Sequence, residues 1–101
     1  MKIHYIDMDN VLVDFQSGID RLDSATKLEY EGRLDEVPGI FGLMNPMSGA
    51  VEAYQELSAK FDTYILSTAP WLNPSAWSDK VNWVHQYLGI DTNEAVHKRL
   101  I

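Results

Sequence analysis

The sequence contains no cysteine, which excludes a disulfide framework and any thiolate metal site. It also lacks a long apolar run. Nothing approaches the roughly 20 consecutive apolar residues that a membrane-spanning helix needs. The opening residues, Met1-Lys2-Ile3-His4, hold no extended apolar stretch and no small-residue cleavage site, so they do not read as a signal peptide. These absences fit a cytoplasmic protein with no membrane partner. Basic residues are scarce: Lys and Arg total 8 against 15 Asp and Glu, for a net charge of −7. That balance argues against binding a nucleic-acid polymer, whose phosphates it would repel. A single nucleotide in a local pocket stays open, with a divalent cation to offset its charge. Repeats, low-complexity tracts and Pro/Gly/Ser linkers are also missing.

What is present suits one small domain. The 101 residues are 46% hydrophobic and 23% charged, an ordinary globular balance with a thin margin of buried surface. Lys2 to Asp7 is rich in Ile and Tyr, ends on an acid and predicts a strand. Val11 to Phe15 continues the apolar character after Asp9-Asn10. Mixed charges between Asp20 and Glu36, broken by Gly32 and Pro38-Gly39, predict a short helical excursion and then a loop through Ile40 to Met44. Ser48 to Lys60 predicts a helix with Val51, Tyr54 and Leu57 on one face, and Pro46 suits its first turn. Asp62 to Thr68 predicts a second strand. Asp79 to Leu88 predicts a helix with Val81, Val84 and Leu88 on one face and Gly89 as its stop. Lys98 to Ile101 reads as the opening of a third strand. Strands separated by helices imply an α/β fold with a parallel sheet, in which ligands sit beyond the carboxyl ends of the strands.

Two clusters fall at such ends. Asp7-Met8-Asp9 places two carboxylates two residues apart where a strand enters a loop, so they can converge on one cation. Magnesium takes such oxygens, and phosphoryl transfer needs an ion of that kind to offset repulsion between two anions. One carboxylate can then attack phosphorus while the other moves protons. The bland reading is a solvated strand end, since Asp is common in turns. Thr68 closes the second strand, where a hydroxyl can hold a phosphate oxygen or simply finish the strand. Ser67 should face the opposite side.

The run Tyr5 to Phe15, with its Asp-Met-Asp-x-Val-Leu-x-Asp-Phe core, resembles the first motif of haloacid dehalogenase-type phosphatases, and Ile65 to Pro70 resembles their second. The stretch Ser67 to Leu88 is similar to the corresponding part of bacterial 5′(3′)-deoxyribonucleotidases. This resemblance covers nearly the whole chain, least distinctively the insert from Gln16 to Asn45. It implies a partial Rossmann-like three-layer sandwich with a small helical cap over about 16–45, truncated after the third strand begins. It implies a magnesium-dependent phosphohydrolase acting on nucleoside monophosphates through an aspartyl-phosphate. Asp7 would be the nucleophile and Asp9 the general acid/base, and Asp7 together with the Asp9 backbone carbonyl would hold magnesium. Thr68 and Lys80 would bind phosphate, and Phe15, Trp71 and Trp77 would border the base, where aromatic faces stack. A solvated Lys and core-packing aromatics are the plain alternatives.

Asn10 stands where relatives commonly carry Gly, and Asn tolerates left-handed backbone. The family pattern continues into a further lysine and an acidic pair beyond the last residue here. On that reading the first strand is a sheet edge open to a second copy of the chain or to the missing segment. Two other functions stay open: a phosphatase for another small phosphorylated metabolite, and a catalytically incomplete fragment or binding module.

Overall fold

The computed structural model describes residues 2–89 and 99–101. Strand β1, Ile3–Asp7, pairs in parallel with β4, Asp62–Leu66, in the register Ile3 to Asp62 through Asp7 to Leu66. The predicted third strand begins where expected. Residues 99–101 run parallel to β4 on its other side, with Ile65 N–H donating to the Arg99 carbonyl (2.7 Å) and Ile101 N–H to the Ile65 carbonyl (2.8 Å). Lys98 lies outside the described residues. The described sheet order is therefore β1, β4, then the segment 99–101, the mixed α/β arrangement with a parallel sheet that alternating strands and helices imply.

Alternation along β1 and β4 separates two faces. Ile6, Thr63 and Ile65 are buried and belong to the side packed by helix α3, Ala50–Lys60, and helix α4, Ala76–Leu88. Ile3, Tyr5 and Leu66 look out from the other face and are exposed. Two of the three expected layers are thus seen among the described residues.

Between β1 and α3 the chain makes its insert. A two-residue strand β2, Val13–Asp14, pairs antiparallel with β3, Asn45–Pro46, and so closes the insert at its base. Pro46 therefore sits in a bridge with Val13 rather than in the first turn of α3. Gly49, left-handed at φ 77°, caps that helix instead. Helix α1, Phe15–Asp20, starts where the Asp14 carboxylate accepts from Ser17 N–H, a side-chain N-cap. Helix α2, Ser24–Glu29, is capped likewise by Asp23 and Thr26. Two short 3-10 turns follow, Leu34–Glu36 and Ile40–Leu43. The second was expected to be loop, yet Ile40 and Phe41 are fully buried there.

Packing around Gly18 is close: a Cβ there would lie 2.7 Å from Met44 Cγ. The Trp83 indole donates to the Met44 carbonyl (3.0 Å), which ties α4 to the end of the insert. The buried face of α4 is Ala76, Lys80, Trp83, Val84 and Leu88, while Val81 is part-exposed. The apolar periodicity around Val81 was offset because a lysine occupies the centre of the buried face.

Candidate active site

The loop after β1 is tight. Leu12 and Val13 N–H both donate to the Met8 carbonyl (3.0 Å each), and Asn10 N–H donates to the Val13 carbonyl (2.8 Å). Asn10 has φ 61°, the left-handed geometry that Asn accepts more readily than most side chains. This turn buries Met8 and Leu12 and leaves Asp7 exposed and Asp9 half-buried at the mouth of the sheet. A cavity of about 550 Å³ opens there, lined by Asp7, Met8, Asp9, Leu66, Ser67 and Thr68 together with Ile101. The two predicted clusters, at the ends of β1 and β4, thus meet in one space.

Lys80 joins them. Its side chain is fully buried, an uncommon place for a lysine unless it is paired. Nζ donates to Asp9 Oδ2 (3.2 Å), to Ser67 Oγ (2.7 Å) and to the Thr68 carbonyl. It also lies 4.4 Å from the centre of the Phe41 ring, a cation–π contact. All three ammonium protons are engaged, so contact with a phosphate requires the exchange of one partner. Ser67, expected to point away, is held by this lysine instead. Strand alternation holds through Ser67, whose N–H still donates to the Ile101 carbonyl (2.9 Å), and it puts Ser67 on the same side as buried Ile65, the side from which α4 brings Lys80.

Asp9 Oδ1 is buried without a hydrogen-bond partner. A buried carboxylate oxygen left this way is costly and marks a place for a donor or a cation. Asp7 and Asp9 share the cavity, and magnesium is commonly held by one or two carboxylates plus water and substrate phosphate. The donor set fits that ion, although no group of three or more acidic or His side chains converges among the described residues.

A second cavity, of about 360 Å³, shares Asp9 and Thr68 with the first and extends along Lys80, Phe15 and Phe41 to Asp35 of the insert. Phe15 and Phe41 meet edge to face with centroids 6.0 Å apart. Of the predicted aromatics, Phe15 is brought to this space. Trp71 is 98% exposed and Trp77 partly so, and neither lines these cavities. The turn carrying Trp71 is anchored instead through Asn73, which is buried and donates from Nδ2 to the Asp35 and Val37 carbonyls (3.0 Å each). Phe41, Asp35 and Asn73 escaped sequence reasoning. They come from the insert and its anchor, where no local pattern signals long-range contact.

No protein-family model matches the chain. A protein of Vibrio phage KVP40, bearing the provisional name 5′(3′)-deoxyribonucleotidase, is 61% identical over 99 residues, 98% of this chain and 56% of the phage protein. That likeness runs over nearly the whole chain. A protein of Acanthamoeba polyphaga mimivirus with the same provisional name is 29% identical over 118 aligned residues, 90% of this chain and 53% of the viral protein. The chain thus spans about half the length of these deoxyribonucleotidase-like relatives.

Proposed function

We propose that this site binds the phosphate of a deoxyribonucleoside monophosphate and, with magnesium, hydrolyses its ester. The observation that carries the reading is the buried Lys80, which fastens Asp9 to the Ser67–Thr68 turn beside Asp7. Burial makes the Lys80 charge more effective than it would be on an open surface. The names of the two relatives supply the substrate class.

In this reaction an Asp7 oxygen attacks phosphorus, and the bond from phosphorus to the nucleoside oxygen breaks as Asp9 gives that oxygen a proton. A water then attacks phosphorus while Asp9 takes its proton, which frees phosphate and restores the Asp7 carboxylate. The Asp7 carboxylate and the Asp9 backbone carbonyl would hold magnesium, which would supply positive charge to offset repulsion between carboxylate and phosphate. Thr68, on the shared wall of both cavities, donates its hydroxyl to a phosphate oxygen. Phe15 and Phe41 offer apolar faces to the nucleoside.

The test is magnesium-dependent phosphate release from a panel of deoxynucleoside monophosphates and unrelated phosphorylated metabolites, with Asp7→Asn as control. Release that requires magnesium, prefers nucleotides and disappears in the variant supports the proposal. Preference for another metabolite would keep the phosphatase chemistry and remove the substrate. Release that persists in Asp7→Asn would remove Asp7 as nucleophile.

A further inference from the structure

We propose that Asp35 is a specificity-determining residue that accepts a hydrogen bond from the nucleoside part of the ligand. The proposal rests on the function just proposed and deepens it. The second cavity shares Asp9 and Thr68 with the first and is lined further by Lys80, Phe15, Phe41 and Asp35. A phosphate placed against that shared wall can leave the rest of a nucleotide in this second cavity, which is lined by two aromatic rings.

Asp35 has no local reason to face that space. It sits in a single 3-10 turn, Leu34–Glu36, whose position is set from outside the insert. The Asn73 amide reaches across 38 residues to the Asp35 carbonyl and, at the same distance of 3.0 Å, to the Val37 carbonyl. The Asn73 side chain is itself steadied, as its Oδ1 accepts from the Ser75 hydroxyl (3.1 Å). A clamp of this kind fixes the backbone on both sides of Glu36 and so fixes where the Asp35 carboxylate starts.

The chemistry of that carboxylate narrows the ligand. Ionised, it accepts hydrogen bonds and donates none. It also repels a phosphate, so it does not serve the anionic end. Its fitting partner is a neutral donor some distance from the phosphate. On a deoxynucleotide the donors are the ring or exocyclic N–H groups of the base and the sugar hydroxyl. Hydrogen bonds to charged groups are among the stronger ones, and losing one costs about tenfold or more in affinity.

The experiment is calorimetric titration of the full chain with magnesium in the Asp7→Asn background, so that no ligand is consumed. The probes are a deoxynucleoside monophosphate, its 2′,3′-dideoxy analogue, 2-deoxyribose 5-phosphate and methyl phosphate. Adding Asp35→Ala is expected to weaken the nucleotide about tenfold and leave methyl phosphate unchanged. Asp35→Asn, which keeps one acceptor oxygen and the side-chain shape, should fall between. A loss that persists with the dideoxy analogue assigns the donor to the base, and one that persists with deoxyribose phosphate assigns it to the sugar hydroxyl.

Unchanged nucleotide affinity, or tighter binding of every phosphate through lost repulsion, overturns the role of Asp35 and leaves the proposed function standing. A nucleotide that binds no better than methyl phosphate before Asp35 is altered overturns the nucleoside reading itself, and this inference with it.

Discussion

Helix α4 and strand β1 both carry charged side chains to the same cleft, but the fold holds them differently. The face of α4 that bears Lys80 is buried along its length, from Ala76 to Leu88, and its indole and ammonium groups are both hydrogen-bonded to other elements. On β1 only Ile6 is buried, and Ile3, Tyr5 and Asp7 face outward. The strand has one described neighbour, β4. Under the proposed function, the difference separates two jobs. The helix side provides a preorganised cation and a fixed turn, which electrostatic stabilisation of a phosphate needs. The strand side presents a carboxylate that must stay accessible to react, and it takes its position from backbone pairing and the tight turn at Asn10.

Substitutions can sharpen or break this contrast. The largest effect is expected at Lys80. Lys80→Met keeps most of the volume but strips Asp9 Oδ2, the Ser67 hydroxyl and the Thr68 carbonyl of their donor. Phosphate affinity or turnover should fall on the order of 10²-fold, and stability by about 1–3 kcal/mol. A calorimetric phosphate titration and a urea melt read the two effects separately. An unchanged melt with lost binding would mean that the lysine serves only the ligand.

Asn73→Ala comes next. It leaves the Asp35 and Val37 carbonyls without their amide, so a loss of about 1–3 kcal/mol is expected, together with weaker nucleotide discrimination because the insert is no longer clamped. Equal losses for nucleotide and methyl phosphate would show that Asn73 acts on the whole fold and not on the insert. The smallest effect is expected on the open sheet face. Tyr5→Thr retains strand propensity and removes a side chain that is mostly in water, so the denaturation midpoint should move by no more than about 0.5 kcal/mol in stability. A loss of several times that amount would mean that this face is covered in solution, which would erase the contrast drawn here.

Much of the strand framework was legible in the sequence because it rests on local patterns. An Ile-Tyr run ended by an acid, a compact apolar run, an Asn at a turn and a Gly after a helix each act over a few residues. The convergence of Asp7, Asp9 and Thr68 followed from the general placement of ligands at the carboxyl ends of parallel strands. Lys80 was legible as a candidate but not as a buried residue, since a lysine at the centre of an apolar face breaks the periodicity used to find that face. Ser67 was undervalued because the buried lysine that meets it comes from α4, thirteen residues further along the chain. Trp71 drew attention by its size, yet the small amide of Asn73 two residues later makes the contacts. Such long-range hydrogen bonds from single polar side chains leave no periodic trace.

The most direct test of the account is to ask whether Asp7 carries the phosphoryl group. The chain would be mixed with magnesium and a deoxynucleoside monophosphate, quenched in denaturant and reduced with borohydride, which converts an aspartyl-phosphate to homoserine. Peptide mass spectrometry then locates the change. The account predicts homoserine at position 7 and nowhere else, dependent on substrate and lost in Asp7→Asn. Phosphate release with Asp7 unmodified, or reduction at Asp9 or Asp35 instead, would contradict it.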